Sequence, residues 1–405
     1  VTKNEVDLGV LGMIIKVFKY NQKPTTPKNA VETISSKDYF CKRKMASNKL
    51  GDLLTITSFG ESHGEGVGAV IDGFPPGIYL DNKKIQTMLN ERRPGYSPYS
   101  SPRKEADLVK ILSGELNGFS TGAPITLWIA NTDTRPQDYD SMSEVYRPGH
   151  ADFTYQQKYG IRDKRGGGRS SARITAAWVA AGAVASLLLE KSGIEVLSYV
   201  KQIYKHRVPE HLSIAQLKKS NASIIRCPHA ETETAIIQSI EKAKEEGDSL
   251  GGSITTHILN CPVGLGEPVF GKFQAKISAA IFSLNAVKGL QFGDGFDLIA
   301  KKGSETNDAF FRKEGKIKTK TNHSGGLLGG ISNGMPIIFE TAFKPTSTIG
   351  LAQETVNMDG EKVLLQATGR HDPCVVPRAV PIINALTYLV LADLWLLNRG
   401  HQLPM

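Results

Sequence analysis

Four cysteines in 405 residues, Cys41, Cys227, Cys261 and Cys374, are too few and too scattered for a disulfide framework. None forms a CxxC pair and none has a Cys/His spacing suited to zinc, so a metal site is not expected and a reduced, cytoplasmic protein is. Long hydrophobic runs are also scarce. "LGVLGMIIKVF" is short, is broken by Lys16 and has neither a basic leader nor a small-residue cleavage site, so it is expected to be neither a signal peptide nor a membrane span. "IINALTYLVLADLWLLN" nearly has the length to span a bilayer, but Asn384, Thr387 and Asp393 make it a buried core helix, so no membrane partner is expected. The chain has no fixed-period repeat and no low-complexity tract. It lacks the Lys/Arg runs and interleaved aromatics of a nucleic-acid binder, and both GxxxxGK[ST] and GxGxxG are missing.

The chain has enough apolar residues, 40% of the total, to build a sizeable core. Its formal charge is +9, but residues 1–44 hold nine of the 49 Lys and Arg and only four of the 40 Asp and Glu, which leaves +4 for all the rest. Local clusters therefore matter more than net charge. Residues 1–44 are Lys-rich, contain "KPTTPK" and show no steady period, so they are expected to be a disordered extension to a catalytic domain over 45–405. Met45 precedes the first patterned segment, and the acids Glu5, Asp7, Glu32 and Asp38 fit an upstream translation start better than an organellar leader.

From Met45 on, β-like runs appear at "LLTITSF", "GVGAVIDGF", "GAPITLWIAN", "GIEVLSYVKQI", "GGSITTHILNCP" and "GMPIIFETAF". The composition predicts a helix over about Ser171–Lys191, Ala/Leu-rich and apolar on most faces, hence buried on several sides. Strands and helices do not alternate regularly, so the expected class is α+β with antiparallel sheets packed on central helices. The polar segment "DLIAKKGSETNDAFFRKEGKIKTKTNHSGG" reads as a long loop.

Glycine-flanked polar clusters are where chemistry is expected. "DKRGGGRSSAR" sets basic side chains and Ser170 and Ser171 ahead of the apolar helix. Helix starts and exposed glycine N–H groups attract anions, arginine pairs with phosphate or carboxylate, and serine caps. A solvated surface loop would have the same composition. "SFGESHGEG" places Ser62 and His63 between glycines that allow close backbone approach, although such a histidine is often a plain loop residue. "RPGHADFTY" puts His150 beside Arg147 and Asp152 after a Pro-Gly turn. In "GRHDPCVVPRAVP", Asp372 lies between basic residues, as a salt-bridged structural carboxylate or as a base beside an anionic substrate. "ERRPGYSPYSSPRKEAD" adds Arg92, Arg93, Arg103 and Lys104.

In this order, "FGESHG", "RRPG", "RPGHAD", "GGGRSSAR", "AVKGLQFGDGF", "GGLLGGISNGMPI", "AFKPTSTI" and "RHDPCVVPRA" make the chain from about Met45 to its last helix resemble the chorismate synthase family. The resemblance implies a β-α-β sandwich with central helices between two antiparallel sheets. It also implies a homotetramer that eliminates phosphate from 5-enolpyruvylshikimate 3-phosphate in the anti-1,4 sense, with reduced FMN. Two polyanions in one pocket would explain the basic clusters. By the same resemblance, His63 delivers a proton toward the departing phosphate with Ser62 beside it. His150 controls protonation of the reduced flavin, Asp372 works with flavin N5 in removing the C6 hydrogen, and Ser171 belongs to a proton relay. Arg92, Arg103, Arg147, Arg173 and Arg370 would clamp substrate anions, and Ala172, Asn285, Lys344 and Thr348 would line the FMN site. Where many family members carry a further basic residue after "RRPG", this chain has "GYSPYSSP", which passes that contact to Arg103 or Lys104. The competing reading is a flavin- or phosphate-binding protein without turnover. Use of NADPH to reduce the flavin is left open.

Overall fold

A computed structural model describes residues 48–93, 95, 98–99, 105–133, 142–366 and 372–401. The expectations for residues 1–44, Arg103, Lys104 and Arg370 lie outside these described residues. Two five-stranded, wholly antiparallel sheets form the outer layers. The N-terminal sheet runs, in spatial order, Lys49–Leu50, Thr55–Gly60, Gly66–Asp72, Ile125–Ala130 and Val109–Ser113. The C-terminal sheet runs Val287–Phe292, Ile337–Phe343, Gly252–Leu259, Glu195–Ile203 and His206–Arg207. The six main helices among the described residues are α1 (Asn82–Arg92), α2 (Asp152–Tyr159), α3 (Thr175–Leu189), α4 (Ala230–Glu245), α5 (Phe273–Phe282) and α6 (Val376–Gly400). α3 packs on strands Gly66–Asp72 and Ile125–Ala130, α6 packs on Glu195–Ile203 and Gly252–Leu259, and the two helices pack on each other. The helices thus lie between two antiparallel sheets, in an α+β sandwich.

Small side chains are what let those two helices meet. Every residue of α3 except Trp178 is buried, and the run "TAAWVAAGAVAS" presents little beyond methyl groups. A Cβ on Gly182 would sit 2.5 Å from the Cα, Cβ and carbonyl oxygen of Ala385 on α6. No side chain fits there while the backbones keep their distance. Gly182→Leu is therefore expected to lower stability by about 2–3 kcal/mol through overpacking, read as an earlier midpoint in denaturant unfolding; an unchanged midpoint would show that the crossing can yield.

By length and composition, Ala172–Ser192 and Val376–Gly400 are apolar enough to cross a bilayer, but 89% and 72% of their apolar windows are buried inside the fold. They are core helices. Two of the three polar residues noted in the last helix have interior work. Thr387 donates back to Ile383 O at 2.7 Å. Asp393, only 4% exposed, accepts from the backbone N–H groups of Asp52, Leu53 and Leu54 at 2.8–2.9 Å. That carboxylate ties α6 to the first turn of the N-terminal sheet.

Two expectations need correction. The α-helix begins at Thr175, not Ser171, because 3-10 turns at Gly168–Ser170 and Ala172–Ile174 precede it and another at Glu190–Ser192 follows it. The presumed long loop also has structure. Phe310–Lys313 and Lys316–Thr319 pair as an antiparallel hairpin whose turn residues Glu314 and Gly315 both have positive φ, 52° and 76°. Such a turn matches strand twist, and its Gly takes the left-handed position at no steric cost. The lysines and arginine of these short strands hid the alternation.

Candidate active site

Two carboxylates missed or barely weighed in the sequence organise the site. The first is Asp107, whose side chain has no solvent exposure. Arg92, at the end of α1, donates from Nη1 to its Oδ2 at 2.9 Å, from Nε to Thr175 Oγ1 at 3.1 Å and from Nη2 to Ala172 O at 2.8 Å. Arg173 donates to the other oxygen of Asp107, to Asn131 Oδ1 at 2.7 Å and to Ala130 O at 3.0 Å. Burial pulls the Arg92 pKa down to about 9 against the opposing pull of Asp107, with the charges of Arg378 and Arg173 adding to the fall. It stays protonated at neutral pH. Arg378 in turn pairs with Asp372 at 2.5 Å, and Thr346 Oγ1 donates to the Asp372 carbonyl at 3.1 Å.

The second is Asp152, at the start of α2 and 4% exposed. Arg147 grips it with two parallel bonds, Nε to Oδ2 at 2.6 Å and Nη2 to Oδ1 at 2.7 Å. Arg162 approaches Oδ1 at 3.0 Å, and His150 Nδ1 lies 2.8 Å from the same oxygen. Burial works against the charged form of this carboxyl, but the hydrogen bonds and charges of Arg147 and His150 outweigh it and hold Asp152 well below the usual carboxylate range.

The basic glycine loop joins the two centres. Gly166 O accepts from Arg147 at 3.4 Å, while Asn285 donates to Ser170 O. Ser171 caps the short turn that follows, accepting from Arg173 N at 3.2 Å. Arg169 pins the strand that leads into the Ser62–His63 turn, donating to Gly60 O at 3.1 Å and to Ser58 O at 3.1 Å. That turn is held from its other side by Asn131, which donates to Glu61 O at 3.0 Å and Gly64 O at 2.8 Å. Ser62 is buried and His63 half-buried. Asp163 feels the charge of His63; burial raises its pKa, but hydrogen bonds from Arg165 outweigh this and the net shift is downward. Lys344 reaches the other histidine's turn, donating to Gly149 O at 2.8 Å, with its own pKa lowered by burial and by Lys288. Thr348, half-buried, lies on the same segment as Lys344.

The structure therefore gathers His63, His150, Ser62, Ser171, Asp372, Arg92, Arg147, Arg173, Ala172, Asn285, Lys344 and Thr348 onto loops that touch one another. Within the described residues, Arg92, Arg147 and Arg173 spend their guanidiniums on buried carboxylates and backbone carbonyls. Asp107, Asp163, Asn131 and Arg162 escaped the sequence reading. The one available signal was an acid inside or beside each basic motif, as in "RKEAD", "HAD" and "DKR". No group of three or more His, Cys, Asp or Glu suited to a metal occurs among the described residues.

Comparisons with known proteins place the chain in a family. Residues 54–396 match the family model for chorismate synthase. The chain is 50% identical over 356 residues to chorismate synthase of Bacteroides thetaiotaomicron, covering 88% of this chain and 99% of that protein. It is 51% identical over 357 residues to chorismate synthase of Porphyromonas gingivalis, covering 88% and 97%. A crystal structure of chorismate synthase superposes with a TM-score of 0.70 at 31% identity, covering 86% of this chain and 94% of that one. The chain belongs to the chorismate synthase family, lyases that carry out the final step of the shikimate pathway.

Proposed function

We propose that the converging loops bind 5-enolpyruvylshikimate 3-phosphate beside reduced FMN and form chorismate and inorganic phosphate by anti-1,4 elimination. One observation carries this reading beyond the family likeness: among the described residues, both carboxylate centres hold more guanidinium than carboxylate. Arg92, Arg173 and Arg378 surround Asp107 and Asp372, and Arg147 and Arg162 surround Asp152. The excess is positive charge fixed in low-dielectric surroundings, which suits a ligand with one phosphate and two carboxylates.

The donor set also fits a flavin phosphate. A Cβ on Gly149 would meet Lys344 Nζ and Ser347 Cβ at 3.2 Å, so the turn before His150 leaves a cradle beside a lysine. Lys344, Thr348, Asn285, Ser171 and Ala172 would hold the group. Reduced FMN, when bound, supplies electron density and is not consumed. The chain's own part is proton handling. His63 delivers a proton toward the oxygen of the departing phosphate, where negative charge builds as the C–O bond breaks. Ser62 lies beside His63 in that turn, and Ser171 joins the relay toward the cofactor. His150 holds or accepts a proton at the flavin edge. Asp372, paired with Arg378, takes part in removing the C6 hydrogen. Arg92, Arg147 and Arg173 set the field that receives the substrate, with Arg103 and Arg370 as direct clamps. The same family likeness supports a cytoplasmic homotetramer.

Anaerobic mixing of the purified protein with 5-enolpyruvylshikimate 3-phosphate and chemically reduced FMN is expected to release phosphate and form chorismate together, with neither product when the FMN is oxidised. Flavin binding with no product would overturn the catalytic assignments and leave an anion-binding protein. Repeating the assay with FMN and NADPH alone determines whether the chain reduces its own flavin.

A further inference from the structure

We infer that Asp152 is a positioning residue for His150: it fixes the imidazole in the Nδ1-protonated tautomer and leaves Nε2 as the nitrogen that exchanges a proton. The inference rests on the proposed role of His150 and adds to it which nitrogen works and what sets that choice.

The hydrogen-bond inventory around the ring gives the reason. His150 Nδ1 has two neighbours, Asp152 Oδ1 at 2.8 Å and Arg147 Nη2 at 3.1 Å. A guanidinium only donates and an ionised carboxylate only accepts. If Nδ1 were unprotonated, its lone pair would point at the carboxylate. Arg147 Nη2 already has a better-placed acceptor in Asp152 Oδ1, at 2.7 Å. Arg147 and Arg162 both approach the carboxylate, and its pKa is held low, so Asp152 is an anion throughout the working pH range. The proton therefore sits on Nδ1. Nε2 is engaged by no group among the described residues, and the side chain is 18% exposed, so this nitrogen is accessible. The ring is oriented as metal-bound and general-base histidines are, by a buried carboxylate that never needs to take the proton itself. Arg162 secures the arrangement from behind, its Nη2 donating to Ser143 O at 2.5 Å and Val145 O at 3.2 Å.

Nitrogen NMR of the full-length protein with isotope-labelled histidine, the His150 signal assigned by its loss in His150→Ala, reads the tautomer directly and without turnover. A protonated Nδ1 and an unprotonated Nε2 above the ring's titration are expected; the opposite pattern overturns the inference. In the assay with substrate and reduced FMN, Asp152→Asn is expected to lower kcat by about ten- to a hundredfold, the usual cost of losing such a partner. KM for 5-enolpyruvylshikimate 3-phosphate should stay within about threefold, and Asp152→Glu should recover part of kcat. A kcat within twofold of the parent, or a loss confined to KM, sinks the idea. If Asp152→Asn does not fold, because two buried arginines lose their counter-charge, the tautomer of the parent protein still decides. Normal turnover by His150→Ala would remove His150 from the reaction whatever its tautomer. A dead His150→Ala beside a fully active Asp152→Asn would remove the Asp152 inference alone.

Discussion

Asp107→Ala is expected to cost the fold about 3–5 kcal/mol, the penalty for leaving a buried ion pair without one partner. The figure follows from what Asp107 neutralises. Its two oxygens separately receive Arg92, 1% exposed, and Arg173, 3% exposed, and the charge of Arg378 already bears on Arg92. Without the carboxylate, three guanidiniums would face one another with only Asp372 among them. Asp107→Asn should be milder, since an amide oxygen still accepts and Asn tolerates the left-handed backbone that Asp107 adopts at φ 49°. Replacing all three charges together, Arg92→Met, Asp107→Leu and Arg173→Met, should recover much of the stability lost in Asp107→Ala while abolishing turnover. Denaturant unfolding and the coupled phosphate and chorismate assay read the two effects separately. If Asp107→Ala unfolds at the parent midpoint, the centre does not stabilise the fold and its charges are maintained for the ligand alone.

Six of the ten strands in the two sheets were legible because each has a short run of β-branched residues beside a glycine, as in "GVGAVIDGF" and "GGSITTHILN", whereas Lys49–Leu50, Val109–Ser113, Val287–Phe292 and His206–Arg207 were not. The central helix was legible from alanine and leucine content, but not its start. Ser171 has the chemistry of a helix cap and does cap, but it caps a 3-10 turn. The α-helix starts four residues later because Arg92 holds the Ala172 carbonyl, and Thr175 Oγ1 donates to the same oxygen at 2.6 Å. That interaction spans eighty residues, and no local pattern could reveal it.

The site was legible as a set of basic and histidine-bearing motifs in a particular order, and the order carried the family. What the basic side chains touch was not legible. The family resemblance makes Arg92 and Arg173 ligand clamps, and for Arg173 the glycine-rich loop suits phosphate as well, yet in the fold both reach one aspartate that is 15 residues from the first and 66 from the second. Asp152 stood two positions from His150 and was noted only as a neighbour. Its burial, and hence its hold on the ring, depends on Arg162 returning from beyond α2. Residue type predicts what a group can bind, whereas burial decides whether that capacity is spent inside the protein or kept for a ligand.

His63→Ala is expected to lower kcat by about a hundred- to ten-thousandfold, the usual range for a positioned acid–base group, with a folded protein and near-normal flavin binding. The turn that carries His63 is built from outside, which is why the truncation should spare the fold. Asn131 holds the carbonyls of Glu61 and Gly64, Arg169 holds that of Gly60, and none of these bonds uses the imidazole. The lost step is proton delivery to the leaving phosphate, so the deficit should shrink when the phosphate is already protonated. The ratio of parent to variant kcat should therefore fall as pH is lowered through the second ionisation of the phosphate monoester, near pH 6. A ratio that does not change with pH would show that His63 orients the substrate and does not donate the proton, and near-normal turnover would remove it from the reaction. Asp163 supplies the control. It sits close enough to share an electrostatic interaction with His63, but its hydrogen bonds go to Arg165. Asp163→Asn should therefore change kcat far less than the loss of His63, and a comparable loss would mean that the two act as one unit.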